Sequence, residues 1–265
     1  MKNSISIVTV VYNDYLGLTK TLESISNQSC NDYELLIIDG GSSDKTLSVI
    51  KKYEAIISYQ VSEKDNGIYD AMNKGLDQCN GKWVIFLNAG DEFNSPDTLF
   101  LALQEMKDSS TTYFGRAKII SGNKDSWLYP SEDISIAHIK NWLIDKLPNH
   151  QAIFFPKSFY RHNRYNLNFN ISSDSDFKLR ALKDQYSFLD MTICKFYLGG
   201  LSSSYTLKNA FQQFRERLSR TTGQGGWFYA IKGLIKSFIK IMISKLFGHK
   251  AFRIIENLKY FEKRK

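Results

Sequence analysis

Three aspartates lie where their carboxylates could act together on a cation or a phosphorylated ligand. Asp39, Asp65 and Asp91 each follow an apolar, strand-like stretch of the chain. Ligand sites in open α/β sheets lie outside the carboxyl ends of the strands, so we expect these three side chains to face one crevice. An isolated aspartate after a strand is more often a turn former or a helix cap, and we interpret Asp44 as a cap.

The chemistry that suits such carboxylates is a divalent cation that bridges to phosphate. Mg²⁺ and Mn²⁺ prefer oxygen ligands and commonly bind through one or two carboxylates plus substrate phosphates. The sequence contains neither a P-loop nor a G-x-G-x-x-G fingerprint, which would hold phosphates through backbone amides. We therefore expect a nucleoside diphosphate bridged by Mn²⁺ or Mg²⁺ to Asp91, rather than ATP hydrolysis or dinucleotide binding.

The elements that must position these carboxylates alternate between strand and helix in the first hundred residues. Short β-branched apolar runs predict strands buried on both faces, and the segments between them carry apolar residues at helical spacing. This alternation predicts an α/β fold with a mostly parallel sheet and flanking helices. The second half predicts a hairpin, another strand and a helix. The predicted strands span residues 6–11, 35–38, 56–61, 83–87, 112–120, 126–129 and 152–155, and the last helix spans 174–183.

Charge is divided unevenly along this 265-residue chain, which has a net charge of +8. Residues 207–265 hold 14 basic and 3 acidic side chains, whereas residues 1–206 hold 21 and 24. A nucleic-acid binder carries its basic surface on the folded domain, so the mildly acidic main body argues against a nucleic-acid partner. The three cysteines include no C-x-x-C pair, which argues against a disulfide framework or a zinc site.

The basic tail has the pattern of a helix at a membrane surface. Lys232, Lys236 and Lys240 are four residues apart, and apolar side chains cover much of the rest of segment 227–247. A broad apolar face beside lysines is typical of an interfacial helix attracted to anionic lipid. Two other interpretations stay open: a helix that docks its apolar face on the protein, and a tail that binds nucleic acid.

Six motifs occur in a fixed order: SIVTVVYN at 6–13, IDGGSSDKT at 38–46, SEKDNGIYDAMNKG at 62–75, FLNAGD at 86–91, NHQ at 149–151 and SDSDF at 173–177. Together they resemble the family-two glycosyltransferases with the GT-A fold, over about residues 4–205. The third, fifth and sixth motifs are similar to those of the branch that builds bacterial O-antigen, capsule and colanic-acid-type polysaccharides. Single motifs of this kind are weak signals, but the ordered set is specific.

The resemblance implies a GT-A (Rossmann-like) domain over residues 1–205 and a basic amphipathic extension over 206–265. The domain would divide into a nucleotide-sugar-binding half, 1–110, and an acceptor-binding half, 111–205. The implied site residues are Thr9, Val11 and Tyr12 lining the nucleotide pocket, Asp39 hydrogen-bonding the base, Asp65 near the nucleoside, Asn88 in the cofactor-binding turn, Asp91 on the metal, and Asp174 as general base.

The sequence departs from the family pattern at two glycines. Gly40 stands where a second aspartate is common, and Gly90 lies in a stretch that is usually rich in aspartate, so one carboxylate remains at the metal position. A catalytically degenerate homologue, acting as a membrane-bound partner in a polysaccharide complex, is therefore an alternative. A nucleotidyltransferase is another, although the chain lacks the Gly-rich phosphate loop that such enzymes usually carry near the N-terminus.

Two residues near the implied base keep other roles open. Asp176 competes with Asp174 for the base, and Asp174 could instead cap the helix that follows. His150 could contact the diphosphate, the metal or the acceptor, or could serve as a structural hydrogen-bond partner.

The activity that the resemblance implies is an inverting hexosyl transfer from a nucleotide-sugar, with UDP as the expected nucleotide. Asp174 would take the proton of the acceptor hydroxyl as its oxygen attacks the anomeric carbon. The expected acceptor is a sugar, carried on the lipid undecaprenyl diphosphate. With the basic tail on anionic lipid, the expected location is the cytoplasm, peripheral on the inner face of the cytoplasmic membrane.

Overall fold

The computed structural model describes residues 4–120, 126–198, 207–220 and 226–247, which fall into two compact units. The first unit comprises Met1–Leu167 and Ser173–Leu198, and the second comprises Asn168–Ser172 and Gly199–Lys265. The predicted boundary at residue 205 stays a prediction, and the short segment Asn168–Ser172 groups with the second unit. Residues 199–206 lie outside the described part.

Four parallel strands form the first half of the sheet: β1 (Ile5–Val11), β2 (Tyr33–Asp39), β3 (Tyr59–Ser62) and β4 (Trp83–Phe86). Their order is β3-β2-β1-β4. The register sets Val11 beside Asp39, and Asp39 beside Ser62. Every residue of β1 is buried, as expected of a strand covered on both faces. The predicted strands at the carboxylate positions are confirmed.

Helices α1 (Tyr15–Ser26), α2 (Thr46–Lys52), α3 (Ile68–Gln78) and α4 (Thr98–Glu105) alternate with these strands, and a 3-10 turn spans Glu54–Ile56. Asp14 caps α1, because its Oδ1 accepts a hydrogen bond from the Gly17 amide at 2.9 Å. The predicted apolar face of α1, formed by Leu18, Leu22 and Ile25, is fully buried. Helix α3 begins three residues after Asp65, so it carries the chain away from the expected crevice.

The second half of the sheet is mixed, with β5 (Glu92–Phe93), β6 (Thr112–Ile120), β7 (Ser126–Tyr129), β8 (Ile153–Pro156) and β9 (Tyr186–Tyr197). Strand β8 pairs antiparallel with β4 and β6, and β9 runs parallel to β6. The predicted hairpin is confirmed as β6 and β7, although its turn at 122–123 lies outside the described residues. The order across the sheet is β3-β2-β1-β4-β8-β6-β9-β5, with β7 paired to β6.

The connections of this half are α5 (Ile139–Asp145), a 3-10 turn at His150–Ala152, α6 (Lys157–Tyr160) and α7 (Ser173–Ala181). Apolar clusters lie on the two faces of the sheet: Leu22 and Leu99 belong to one, and Met72 and Phe177 to the other. A sheet between two apolar layers is the α/β architecture that the alternating elements predict. Helix α7 thereby packs Phe177 into the core and carries Asp174 on its first turn.

The second unit contains α8 (Leu207–Arg220) and α9 (Gly226–Phe247), which pack against each other with the rings of Phe211 and Phe238 5.9 Å apart. Glu216 of α8 is 3% exposed. Its carboxylate accepts hydrogen bonds from the amides of residues 170, 171 and 172, which explains why that segment groups with the helices. Among the described helices, none is long and apolar enough to cross a membrane.

Candidate donor and acceptor site

Asp39, the last residue of β2, is fully buried and holds three hydrogen bonds. Its Oδ1 accepts from Ser42 Oγ at 2.5 Å, and its Oδ2 accepts from the Ser42 amide at 3.0 Å and from Ser62 Oγ at 2.5 Å. An ionised carboxylate has about four lone-pair positions. The contacts therefore orient the carboxylate at the end of the strand and leave one lone-pair position unpaired, on a side chain that has no exposed surface in this conformation.

Gly40 allows the carboxylate of Asp65 to approach the end of β2. A Cβ atom built on Gly40 would lie 2.5 Å from Asp65 Oδ2 and 3.3 Å from Cδ2 of Tyr12. The first distance is far inside van der Waals contact, so a side chain at position 40 would displace Asp65. The glycine that replaces the common second aspartate thus makes room for a different carboxylate, which the Gly67 amide holds through Oδ1 at 2.9 Å.

The three residues expected to line the nucleotide pocket differ in accessibility. Tyr12 is 65% exposed, whereas Thr9 and Val11 are 0% and 6% exposed. The Val11 carbonyl accepts a hydrogen bond from the Gly40 amide at 3.0 Å, which joins the ends of β1 and β2. Tyr12 is therefore the side chain of this trio that is free to contact a ligand, and the roles of Thr9 and Val11 stay predictions.

The turn after β4 is fixed by Thr21 of α1, a residue that sequence analysis did not single out. Thr21 Oγ1 donates to the carbonyl of Asp91 at 2.7 Å and accepts from the amide of Gly90 at 3.0 Å. Gly90 has a φ of +98°, a backbone conformation that residues other than glycine rarely adopt. Asn88 Oδ1 in the same turn is buried and has no hydrogen-bond partner.

Asp91 is 5% exposed, and both of its carboxylate oxygens accept hydrogen bonds. Oδ2 accepts from Gln151 Nε2 at 2.5 Å, and Oδ1 accepts from the Tyr197 amide at 3.0 Å. Burial raises the pKa of Asp91 to about 7, against the lowering effect of these bonds and of Lys20. The carboxylate thus joins β9 and the 3-10 turn to the end of β4.

The burial of Asp91 does not suit a metal ligand in this conformation. Each oxygen gives one of its two lone pairs to an N–H group, and a residue that is 5% exposed leaves little access for an ion that must lie about 2.1 Å from the oxygen and keep several of its waters. Gly90 offers no side-chain oxygen, and Asn88 offers a neutral amide. In the described part of the chain no three His, Cys, Asp or Glu side chains come together to hold an ion. The metal role of Asp91 and the cofactor role of Asn88 stay predictions.

Asp174 is more accessible than Asp91, with 31% of its side chain exposed. Lys178, one turn along α7, places Nζ 3.2 Å from Oδ2, and Tyr69 of α3 donates its hydroxyl to Oδ1 at 3.4 Å. Burial would raise the pKa of Asp174, but Lys178 and the nearby hydrogen bonds lower it below its usual value. Asp174 is therefore ionised at neutral pH and can accept a proton.

Lys178 is itself buried, with 7% of the residue exposed. Besides its ion pair with Asp174, its Nζ donates to the carbonyl of Pro148 at 3.3 Å. A buried ammonium group needs such partners because desolvation alone would cost several kcal/mol. Lys178 thus ties α7 to the segment that leads into His150 and Gln151.

His150 has a structural environment. The residue is 7% exposed, and its Nε2 shares a 2.6 Å hydrogen bond with the hydroxyl of Tyr165. Its ring lies 5.0 Å from that of Phe86. Burial lowers the pKa of His150 to about 3, so the imidazole is neutral at physiological pH and adds no positive charge beside Asp174. Of the interpretations left open, the structural partner is the one these contacts favour.

Asp176 is committed to an ion pair. Its Oδ2 accepts from Arg180 Nε at 3.0 Å, and Arg180 also donates to Asn163 Oδ1 and to the Arg164 carbonyl. This network fixes the outer side of α7. Asp174 and Asp176 thus each hold an ion pair with a basic residue one turn along α7, and the assignment of Asp174 as the proton acceptor stays a prediction.

We expect Lys178→Met to raise the pKa of Asp174, because the methionine keeps the length of the side chain and removes the charge that favours the carboxylate. A group with a lowered native pKa contributes stability above its unfolded value, about 3.9, and that stability is lost as pH falls through the native value. In the variant the native pKa approaches the unfolded value, so this pH-dependent stabilisation shrinks. Carbon-13 NMR titration of labelled aspartate, assigned with Asp174→Asn, measures the shift.

Lys183→Met, at an exposed lysine beyond α7, is the matched control and should leave the titration of Asp174 unchanged. An Asp174 titration that is identical in wild type and Lys178→Met would contradict the assigned ion pair.

Comparison with known proteins places this geometry in a family. The family model of glycosyl transferase family 2 matches residues 6–177. A PGL/p-HBAD biosynthesis glycosyltransferase from Mycobacterium bovis BCG is 28% identical over 230 residues, covering 83% of this chain and 86% of the relative. The GalNAc(5)-diNAcBac-PP-undecaprenol beta-1,3-glucosyltransferase of Campylobacter jejuni is 28% identical over 172 residues, covering 62% of this chain and 55% of the relative.

Solved structures share the fold at low sequence identity. TarS residues 1–349 from S. aureus, in complex with UDP-GlcNAc, superposes with a TM-score of 0.64 at 18% identity, covering 92% of this chain and 73% of that one. The mannosyltransferase PcManGT from Pyrobaculum calidifontis, in complex with GDP-Man and Mn²⁺, gives 0.59 at 13% identity, covering 98% and 81%. Because the family model spans most of the chain and solved glycosyltransferases share its architecture, this protein belongs to glycosyl transferase family 2 and has the GT-A fold.

Proposed function

We propose that this protein is an inverting glycosyltransferase that moves a hexose from a UDP-sugar to a lipid-linked sugar acceptor in the synthesis of a bacterial surface polysaccharide. The observation that carries the proposal is the contact of the Tyr69 hydroxyl with Asp174 Oδ1 at 3.4 Å. Tyr69 lies on the first turn of α3, directly after the loop of Asp65. The contact supports an ionised, partly exposed base near the loop of Asp65, on the side where we propose that a nucleotide binds.

The sugar-donor side rests on Asp39, Asp65 and Tyr12. Asp39 would accept the N–H group of a uracil ring with its remaining lone pair once neighbouring side chains move to expose it, and Asp65 and the exposed ring of Tyr12 lie at the same strand end. TarS, which shares the fold, was solved with UDP-GlcNAc. The family membership and this strand-end geometry together support a nucleotide-sugar as the sugar donor.

The reaction is one displacement at the anomeric carbon. The acceptor oxygen forms a bond to that carbon while the bond to the UDP oxygen breaks, and the acceptor proton passes to Asp174. With one base and no covalent intermediate, the anomeric configuration inverts. A sugar hydroxyl is a weak acid, so the proton must move as the bond forms, and Lys178 keeps Asp174 ionised for that step.

Use of Mn²⁺ or Mg²⁺ is part of the proposal, without an assigned protein ligand. The fold neighbour PcManGT was solved with GDP-Man and Mn²⁺. When bound, such an ion would neutralise charge on the departing diphosphate. The burial of Asp91 behind its two hydrogen bonds does not suit it for this task in the present conformation.

The acceptor half of the proposal rests on the names of relatives and on α9. The Campylobacter relative carries PP-undecaprenol in its name. On α9, Ile235, Ile239, Met242 and Leu246 are 49–71% exposed at spacings of four, three and four residues, so they form one apolar stripe.

Exposed lysines flank this stripe, at positions 232 and 236 on one side and 245 on the other. We propose that the stripe lies on the anionic inner face of the cytoplasmic membrane, where a lipid-linked acceptor is presented.

Asp174→Asn is expected to lower the rate of sugar transfer by roughly 10²–10⁴-fold, the usual contribution of a general base, and to leave the affinity for UDP unchanged. Release of UDP from a panel of UDP-sugars, with undecaprenyl-diphosphate-linked saccharides as acceptors, measures the rate. Asp176→Asn is the control on the same helix and should change the rate by less than about tenfold. Equal losses in both variants, or transfer with retained anomeric configuration, would refute the role of Asp174.

Lys232→Gln with Lys236→Gln is expected to weaken binding to vesicles that contain anionic lipid, by about fivefold per lysine at moderate salt. Ile239→Ser with Met242→Ser should weaken binding to the same vesicles by at least about tenfold, because apolar area no longer enters the bilayer. Sedimentation with vesicles measures both. Lys51→Gln with Lys52→Gln, at exposed lysines of α2, is the control. If the wild-type protein bound duplex DNA as tightly as it binds these vesicles, the nucleic-acid interpretation would be favoured instead.

A further inference from the structure

The buried contact between Asp91 and Gln151 joins two parts of the site that are 60 residues apart in sequence. Asp91 ends the turn after β4, on the sugar-donor side, and Gln151 lies in the 3-10 turn before β8. Both residues are at most 5% exposed. Their 2.5 Å hydrogen bond is therefore shielded from water, where such bonds are strongest.

The 3-10 turn that holds Gln151 is also fixed on its other side. Asn149 caps it by accepting from the Gln151 amide at 2.9 Å. One residue earlier, the carbonyl of Pro148 accepts from Lys178, the partner of Asp174. The segment 148–151 thus contacts the turn after β4 through the side chain of Gln151, and contacts helix α7 through the carbonyl of Pro148.

The second oxygen of Asp91 extends the connection to the far strand. Oδ1 accepts from the Tyr197 amide near the end of β9, and Tyr197 Oη donates to Glu92 Oε1 at 2.7 Å. A buried carboxylate is stable only when its oxygens are paired. The two N–H groups meet that requirement by taking one lone pair of each oxygen, and the 5% exposure of the residue leaves a hydrated cation little access to the remaining lone pairs.

We propose that Asp91 and Gln151 form a carboxylate–amide clamp that sets the position of the turn after β4 relative to the Asp174 helix, and that Asp91 is a positioning residue rather than the ligand of a divalent cation. The functional meaning rests on the proposed sugar-donor and acceptor sites. The clamp itself rests on the contacts of four residues and can be tested without sugar transfer.

Asp91→Asn separates the clamp from a metal site. Asparagine keeps an oxygen for the Tyr197 amide, and its Nδ2 can donate to Gln151 Oε1 once the glutamine amide rotates by 180°. The clamp therefore predicts a melting temperature within about 3 °C of wild type, which corresponds to about 1 kcal/mol in a protein of this size. A neutral amide is a poor substitute for a carboxylate on Mn²⁺, so a metal ligand at this position predicts loss of the cation's effect.

A double variant that exchanges the hydrogen-bond donor and acceptor of the clamp tests whether the lost stability can be restored. Gln151→Leu leaves a buried carboxylate oxygen unpaired, and Gln151→Glu sets two carboxylates at hydrogen-bond distance. Each should lower the melting temperature by roughly 5–10 °C. Adding Asp91→Asn to Gln151→Glu restores one donor and one acceptor, and should recover at least half of the loss from Gln151→Glu.

Calorimetric titration of UDP, with Mn²⁺ and with EDTA, completes the test on wild type and Asp91→Asn. The clamp predicts the same fold-change in UDP affinity on adding Mn²⁺ in both proteins, including no change in either. A folded Asp91→Asn protein that loses a Mn²⁺ enhancement of tenfold or more would overturn the proposal. So would a Gln151→Leu protein that melts like wild type, or a double variant that recovers nothing. Wild-type protein that binds no UDP would refute the proposed sugar donor, while the melting data still decide the clamp.

Discussion

A carboxylate buried in a protein interior must be paired, and the pairing of Asp91 organises this site. Its two oxygens take one N–H group from the segment before β8 and one from β9. Since Asp91 also ends the turn that Thr21 fixes to α1, one side chain connects the parallel half of the sheet to the mixed half. The relative position of the proposed sugar-donor and acceptor sides therefore depends on hydrogen bonds that are shielded from water.

The other carboxylates of the site differ in solvent accessibility, and their proposed roles follow from that difference. The proposed donor side is built from strand ends, where Asp39 is held by two serines and Gly40 admits the carboxylate of Asp65. Rigid supports of this kind position a ligand at little cost in entropy. The proposed acceptor side has Asp174, which is partly open to solvent and paired with a buried lysine. The proposed reaction, which binds a charged nucleotide and then passes one proton to the protein, would use both environments.

Sequence analysis predicted the parts of this arrangement that depend on local pattern. Strands β1, β2 and β4 are continuous apolar runs, and Asp39 and Asp91 follow directly from where two of these runs end. Strand β9 was missed because its buried residues come in adjacent pairs, without strict alternation or a continuous apolar run, and because Asp190 and Lys195 interrupt it.

The partners of the carboxylates could not be predicted, because they depend on tertiary contacts. Gln151 is 60 residues from Asp91 in sequence. The Tyr197 donor is a backbone amide, and a backbone contact cannot be predicted from the type of residue. Lys178 could have been predicted, because it is an i, i+4 partner of Asp174 on one helix.

The central claim is that a nucleotide binds at the Asp39 strand end. Calorimetric titration of UDP into wild type, Asp39→Asn and the exposed control Asp184→Asn tests it most directly. We predict binding to wild type and to the control, weakened roughly 10–100-fold in folded Asp39→Asn through the loss of a charged hydrogen-bond acceptor. Folded wild-type protein that binds no UDP, or equal binding in all three proteins, would contradict the account.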